Sequence, residues 1–523
     1  SCGGPFGMAL KSAGWDGVLI SGKAEKPVYL YIDKNGVEVR DASQYWGMGI
    51  PEVQEAIDDK KTGSLIIGPA GENLVRFANI ASGHRFLGRG GLGAVMGSKN
   101  LKAVLALGGE YRIMPRDPEK FKKVKKRAHK YINSNKMTAV AYRKYGTNAN
   151  VRPNLKGNIL PVHNFQDGWH EKGDQLAGEI IADNHETRHH TCKPCTIRCG
   201  HKGTFDGEQM AVPEYETIGL MGSNLGIFDP VQVAKWNLIC GRLGLDTIST
   251  GGTLAWVMEA AQKGLVESDL HFGSAEGISE TLDDIAYMRG FGAEMALGSR
   301  SLSNKYGGQD FAIQIKGLEM AAYDPRGSFG HGLAYAVANR GACHLSSYLV
   351  AQELYFKLLK PDLTYGKARW VKFFENLTCC INALQSCQFT LYAYLLESPL
   401  TKYTLDPILA LLMQYMPQVA ILLVDSSIYN GLWNSVTGIQ LSKSQFLKAG
   451  ERIHVLERYM NTREGITGKD DVLPGRMLKE GRISDPSKKT VPLHKMLAHY
   501  YKIRGFDEDG IPTEKLLKEL EII

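Results

Sequence analysis

The chain has 523 residues, 43% hydrophobic and 22% charged, a balance that suits several cored domains and excludes a disordered or fibrous protein. A net charge of +7 is small for this length, and no aromatic–basic stripe or DNA-reading motif is present, so nucleic acid is not an expected partner. The nine cysteines, odd in number and unevenly spaced, argue against a secreted disulfide scaffold, and with no secretory signal visible the expected location is the cytoplasm.

Residues 1–110 read as Gly-rich and strand-like. Short apolar runs at Val18–Ile20, Val28–Ile32, Ser64–Ile67 and Val104–Leu107 lie between turn residues and are expected strands. Lys34-Asn-Gly36 is a hairpin turn, and Pro51–Asp59 reads as a short helix. Two glycine clusters follow, Gly68-Pro-Ala-Gly-Glu-Asn73 and Gly88-Arg-Gly-Gly-Leu-Gly-Ala-Val-Met-Gly97. Glycine lets a backbone approach a ligand, and successive N–H groups make an anion cradle. With Arg85, Arg89 and Lys99 nearby, these clusters suit phosphates, tight turns in a β-rich domain being the equal alternative. The Walker pattern is absent.

Beyond Pro115 helices dominate. Asp117–Asn133 is charged and helical; its run Lys120–Arg127 reads as a solvated face, with docking of an acidic electron carrier as the alternative. Cys192-Lys-Pro-Cys195-Thr-Ile-Arg-Cys199 places three thiols in one tight loop, spaced C-x2-C-x3-C. That spacing suits an iron–sulfur cube, which needs a fourth cysteine from elsewhere. A zinc knuckle remains open because His189, His190 and His201 flank the loop, as does a disulfide pair. Val212-Pro-Glu-Tyr-Glu216 sets two carboxylates where a helix begins. Phe228–Cys240 reads as a capped amphipathic helix, and Thr250–Met258 as the start of another. Tyr323–Gly327, Gly330–Gly332 and Asn339–His344 form a dense polar stretch; a lone His344 reads first as a hydrogen-bonded core residue. Ile408–Val424 is apolar but too short to span a membrane, so a buried helix kinked or ended at Pro417 is expected.

In order along the chain, Gly14–Pro27, Gly68–Leu74, Gly88–Lys102, the cysteine loop, Pro213–Glu216, Leu243–Leu254, Ala322–Gly327 and Asn339–His344 resemble the tungsten-containing aldehyde:ferredoxin oxidoreductase family. The resemblance implies an α+β protein: a β-rich pterin- and phosphate-binding domain at 1–114, its front end missing, then mainly helical domains at 115–313 and 314–523. It implies a tungsten or molybdenum bis-pyranopterin, magnesium bridging the pterin phosphates, and a [4Fe–4S] cluster. The implied cluster ligands are Cys192, Cys195, Cys199 and Cys387, with Cys379 and Cys380 competing for the fourth place and Cys240 and Cys343 as buried thiols. Arg85, Arg89 and Gly88, Gly90, Gly91 and Gly93 would hold the phosphates, and Leu245, Asp246 and Asn382 the pterins. Glu216 would be the general base toward water, and His344 would hydrogen-bond the substrate oxygen. An aldehyde would be oxidised to the acid with electrons leaving to ferredoxin or a ferredoxin-like subunit, in a homo-oligomer or multi-subunit complex.

Three departures accompany this likeness. The pterin segments read Gly241-Arg-Leu-Gly-Leu-Asp246 and Asn382-Ala-Leu-Gln-Ser-Cys387, where the family pattern opens each with Asp; Asn accepts only through its carbonyl and Gly offers no side chain. The magnesium-binding segment aligns near Ser1. A related branch, the catalytic subunit of class II benzoyl-CoA reductase, places a tungsten-ligating cysteine where this chain has Leu225, and His163 lies in a loop that could reach substrate in either branch. The alternatives are therefore an aromatic acyl-CoA reductase subunit, or a truncated electron-transfer paralogue lacking the pterin metal.

Overall fold

The computed structural model describes residues 3–59 and 61–523. Ser1 and Cys2 lie outside the described residues, and with them the expected magnesium-binding contact. Helix makes up 51% of the molecule and strand 9%, a mixed architecture in which one sizeable sheet is joined to a helical body.

The sheet is built between residues 28 and 107. Its strands are β1 (Val28–Ile32), β2 (Val37–Asp41), β3 (Thr62–Ile66), β4 (Ile80–Ser82), β5 (Arg85–Leu87) and β6 (Leu101–Leu107), ordered β2-β1-β6-β3-β4-β5. The Asn35–Gly36 turn joins β1 to β2 with Ile32 opposite Val37, and the Asp33 carboxylate accepts from the N–H groups of both turn residues. β6 runs parallel to β1 and antiparallel to β3. Side chains alternate across a strand, so the sheet seeds a small core on each face. One holds Ile32, Val104 and Ala106 against Ala9, Leu10 and Met96. The other holds Ile66, Ala81 and Ala103 against Ile50 and Val53, both from the Ile50–Ile57 helix.

Val18–Ile20 does not form the expected strand. It runs outside the sheet, with Leu19 98% exposed and Ile20 packed on the sheet core; without a ladder to join, the run makes no strand.

The helical body is organised by capped starts. Asp117 caps Pro118–Ser134, Asp229 caps Pro230–Leu243, and Asp246 caps Thr247–Gln262. The last helix thus begins before the expected Thr250, because the Asp246 carboxylate accepts from the Ser249 N–H and takes up a donor the helix leaves orphaned. A single hydrophobic core runs from Ala70 through Trp236, Trp256, Tyr335 and Trp370 to Leu520. The two halves of the helical region share it.

The apolar run near residue 410 forms two helices, Asp406–Tyr415 and Pro417–Leu423, divided at Pro417 as expected. They are not buried: Ile408, Leu411, Met416 and Leu422 are exposed. Helical periodicity leaves one face of so short a pair outward even when nearly every residue is apolar. Among the described residues no helix is long and apolar enough to cross a membrane.

Candidate functional site

The sheet meets the helical body along a short splice. Ala78 pairs with Leu245, the Asp246 N–H donates to the Phe77 carbonyl at 3.1 Å, and Asn79 donates from its N–H to Gly244 (2.8 Å) and from Nδ2 to the Leu245 carbonyl (2.9 Å). The splice brings Asp246 beside the Gly88–Gly93 loop. There Arg89 Nε lies 3.3 Å from Asp246 Oδ2, and its other nitrogens donate to the carbonyls of Ala342 and Glu319. Arg89 therefore ties three segments together.

The loop glycines divide into two kinds. Gly90 has φ +102° and open space where a Cβ would project; Gly88 meets only Asp246 Oδ1 at 3.6 Å. Gly91 (φ +72°) and Gly93 instead press on backbone: an added Cβ would lie 2.3 Å from the Arg76 carbonyl oxygen and 2.4 Å from that of Asn79. The Gly93 N–H already donates to Ala78. Open backbone for an anion thus narrows to the Gly88–Gly90 side. Asn79, Arg85, Gly88, Leu245, Asp246 and Glu216 line one cavity of about 470 Å³.

Glu216 sits in a single helical turn, Tyr215–Thr217, followed by a π-helical segment, Ile218–Gly222, an irregularity often found at functional positions. The turn is pinned on both sides. Tyr215 donates from its hydroxyl to the Ala322 carbonyl (2.6 Å) and from its N–H to Thr147 Oγ1 (2.9 Å). Glu214 accepts from Arg85 (2.8 Å) and Thr147 (3.1 Å). Glu216 Oε2 accepts the Ala322 N–H at 2.8 Å. Its Oε1 faces His344 Nε2 at 3.4 Å, and the two side chains are only 16% and 11% exposed. Glu216 Oε1 and His344 Nδ1 are buried without a hydrogen-bond partner among the described residues. Burial raises the Glu216 carboxyl to about 7, opposed by the Ala322 N–H and by Arg89. Burial, then the charges of Arg89 and Arg340, hold His344 well below its ordinary value. At neutral pH the imidazole is uncharged and the carboxyl is near half-protonation, the condition for passing a proton.

The pair stands where two cavities meet. Glu216 lines the chamber beside Asp246, and with His344 it also lines a second, of about 230 Å³. The walls of the second are apolar and aromatic: Tyr348, Phe356, Phe374, Phe389, Tyr392 and Leu395. Sequence reasoning missed these residues, along with Asn79 and Thr147. The aromatics come from three separate segments, and no local spacing marks them as one wall. His163, considered as a residue that could reach substrate, is half-buried against Phe272 and His170 and lines neither chamber.

Cys192, Cys195, Cys199 and Cys387 line a third cavity, of about 790 Å³, together with Arg85, Asn382 and Cys379. Burial raises the Cys199 thiol, with Glu214 and Cys387 adding to it. Burial also pushes Cys387 up to about 11, with Cys195 and Cys192 contributing. Four thiols this close repel one another as thiolates, so a cationic centre is what would hold them ionised; an all-sulfur donor set suits an iron–sulfur cube or zinc. Of the competitors for the fourth place, Cys380 is turned away: its Sγ donates to the Phe446 carbonyl at 3.0 Å. Cys379 shares the cavity but groups with His454 and Glu457. Cys240 and Cys343 are both buried, as expected, Cys343 at the wall of this cavity. Asn382 Oδ1 accepts from Gln388 at 3.3 Å. Arg85 spans both chambers; Glu214, Cys192 and Cys199 raise its guanidinium further against the cost of burial.

The residues present fit a pterin-bound metal and a cluster. Unpartnered buried atoms, Asn79 Oδ1, Arg85 Nε and Glu216 Oε1, belong to residues of the chamber beside Asp246, and the thiols converge next to it.

Residues 1–108 match the family model described as the N-terminal domain of aldehyde ferredoxin oxidoreductase, and residues 123–522 match that of its domains 2 and 3. The chain is 38% identical over 534 aligned residues to the tungsten-containing aldehyde ferredoxin oxidoreductase of Pyrococcus furiosus, covering 98% of this chain and 83% of that protein. It is 37% identical to the enzyme of that name from Thermococcus kodakarensis, with the same coverage. It is 29% identical to a P. furiosus aliphatic sulfonate oxidoreductase, WOR-like subunit, over 99% of this chain and 82% of that one. Among solved structures, the active-site complex of benzoyl coenzyme A reductase with 1,5-dienoyl-CoA matches 100% of this chain and 83% of its own at a TM-score of 0.77 and 22% identity, a likeness of fold.

Proposed function

The chain belongs to the aldehyde ferredoxin oxidoreductase family of tungsten enzymes, and from that premise we propose that it oxidises an apolar aldehyde to the carboxylic acid and passes the electrons through a [4Fe–4S] cluster to ferredoxin. The observation that carries the reading is the Glu216–His344 pair at 3.4 Å, set between an apolar cavity and the chamber beside Asp246.

In the net reaction an aldehyde and a water become a carboxylic acid, releasing two protons and two electrons. The bis-pyranopterin metal supplies, when bound, a Lewis acid and a two-electron acceptor. Gly88, Arg89, Gly90, Leu245, Asp246 and Asn382 would hold its pterins and magnesium-bridged phosphates, and Arg85 would stand between it and the cluster on Cys192, Cys195, Cys199 and Cys387. Glu216 takes a proton from the attacking water at Oε1, the oxygen that the Ala322 N–H leaves free. His344 donates a hydrogen bond to the carbonyl oxygen, where negative charge develops. The aromatic wall from Tyr348 to Leu395 receives the aldehyde's apolar portion and excludes bulk water, which strengthens both interactions.

The test is aldehyde-dependent reduction of ferredoxin or a viologen by the metal-loaded enzyme, together with elemental analysis. Glu216→Gln should retain tungsten and iron and lose about 100-fold or more in kcat. Activity that survives the substitution would refute the assigned base. Iron without tungsten or molybdenum in the native protein would favour a plain electron-transfer role, and turnover only with an aromatic acyl thioester would replace the aldehyde.

A further inference from the structure

Away from the proton-transfer pair and the four-thiol cradle, one more group of ligand-bearing side chains converges. The helices Lys367–Ala383 and Lys443–Arg463 pack side by side. The first contributes Cys379. The second contributes His454 and Glu457, three residues apart and so on one helical face. A sulfur, an imidazole nitrogen and a carboxylate oxygen from the three residues all lie within 4.8 Å of one another, on the wall of the cavity that also holds the cysteine loop.

The surroundings settle which imidazole nitrogen is bare. His454 is buried, with Nε2 lying 3.3 Å from the Tyr500 hydroxyl. That hydroxyl donates its proton to Glu375 at 2.7 Å and accepts from Arg504 Nε at 3.1 Å. Its remaining capacity is as an acceptor, so His454 Nε2 carries the hydrogen and Nδ1 carries the lone pair. A histidine held from behind by a hydroxyl–carboxylate pair, with its other nitrogen free to ligate, is the arrangement that orients metal-bound imidazole. Nδ1 meets only a long contact, 3.4 Å, from Asn339 Nδ2, whose two hydrogens go to the His454 carbonyl at 3.0 Å and to Glu457 Oε2 at 3.1 Å. Asn339 Oδ1 is buried without a partner among the described residues. The end of this amide that touches two of the three ligands is its Nδ2 donor.

We propose that Cys379, His454 and Glu457 bind a zinc ion, with a water in the fourth position. The mixed sulfur, nitrogen and oxygen set suits a borderline divalent cation and not magnesium or calcium, which take oxygen alone. Thiolate and carboxylate together balance the dication, and the thiol proton is released to solvent on binding. The ion would clamp the two helices at the edge of the cluster cavity.

The experiment is metal analysis of the holoenzyme, purified from zinc-supplemented cells and desalted against a mild chelator. The wild type should hold one zinc per chain. Cys379→Ser and His454→Gln should each lose it while iron and tungsten contents, and the EPR signal of the reduced cluster, stay unchanged. Because His454 is buried and its variant could misfold, Glu457→Gln at the exposed ligand is the second variant: it should lower zinc retention against chelator at least tenfold. X-ray absorption at the zinc edge should show one sulfur at about 2.3 Å among nitrogen and oxygen neighbours at about 2.0–2.2 Å. A zinc-free wild type, unchanged zinc in the variants, or loss of cluster iron in Cys379→Ser would each overturn the proposal. Loss of aldehyde activity with zinc retained would instead count against the function above and leave the zinc site standing.

Discussion

Glu216 and His344 lie about 130 positions apart in the chain yet share one unsatisfied contact, and burial decides what each can do. A carboxyl raised from 4.5 to about 7 must be ionised to serve as a base, so kcat/KM should fall as pH drops below about 7; a profile flat from pH 5 to 8 would remove Glu216 from that role. The same shift has a consequence for stability. A group whose folded value is raised contributes stability fully below its unfolded value near 4.5 and loses it as pH rises through about 7. In the cofactor-free protein, Glu216→Gln should therefore raise Tm at pH 8, by an amount worth at most about 3 kcal/mol, and have little effect at pH 4. Thermal melts at the two pH values check this. The cysteines divide on similar grounds. Cys387→Ser should lose cluster iron, whereas Cys380→Ser should keep it, because the Cys380 thiol is already spent on the Phe446 carbonyl. Iron assays after anaerobic desalting would show the contrast.

The Gly88–Gly97 element serves two purposes that substitution can separate. At its far end the Leu92–Ser98 helix crosses the Pro69–Glu72 turn so closely that a Cβ on Gly97 would lie 1.9 Å from the Gly71 carbonyl oxygen. Gly97→Ala should therefore destabilise the fold by about 2 kcal/mol or more, because backbone must move. Gly90 has nothing near its missing side chain; Gly90→Ala strains only a left-handed φ, about 1 kcal/mol, and should act mainly by weakening cofactor retention. Tm and bound tungsten measured on both variants would distinguish a packing element from a binding one. The amino acid pattern could not make that division. Every glycine in the run looks alike until the carbonyls of Arg76, Asn79 and Gly71 are seen to press against some and not others.

At the scale of the whole molecule, the site exists because a sheet and a helical body are spliced at Phe77–Asn79 and Gly244–Asp246. Asn79 holds that splice with a backbone and a side-chain hydrogen bond; Asn79→Ala removes the second and should lower cofactor content and stability together, by about 1–3 kcal/mol for the Leu245 carbonyl left unpaired. Sequence alone determined what depends on near neighbours: the β1–β2 hairpin from Asn35–Gly36, the capped starts at Asp117 and Asp229, the break at Pro417 and the three-thiol loop. It also carried the family, through strings such as Ala322–Gly327 and Leu243–Leu254 that match whole. The rest depends on distance in space and follows from packing: that Val18–Ile20 finds no ladder, that the apolar pair around Pro417 keeps a face in solvent, that Cys387 and not Cys380 lines the cavity of the cysteine loop, and that His163 packs away from the chamber. The aromatic wall and the Cys379–His454–Glu457 group belong there too. Local signals are short-ranged because capping, turns and periodicity act within a few residues. Burial, which raises the Glu216 carboxyl, is a property of the packed chain.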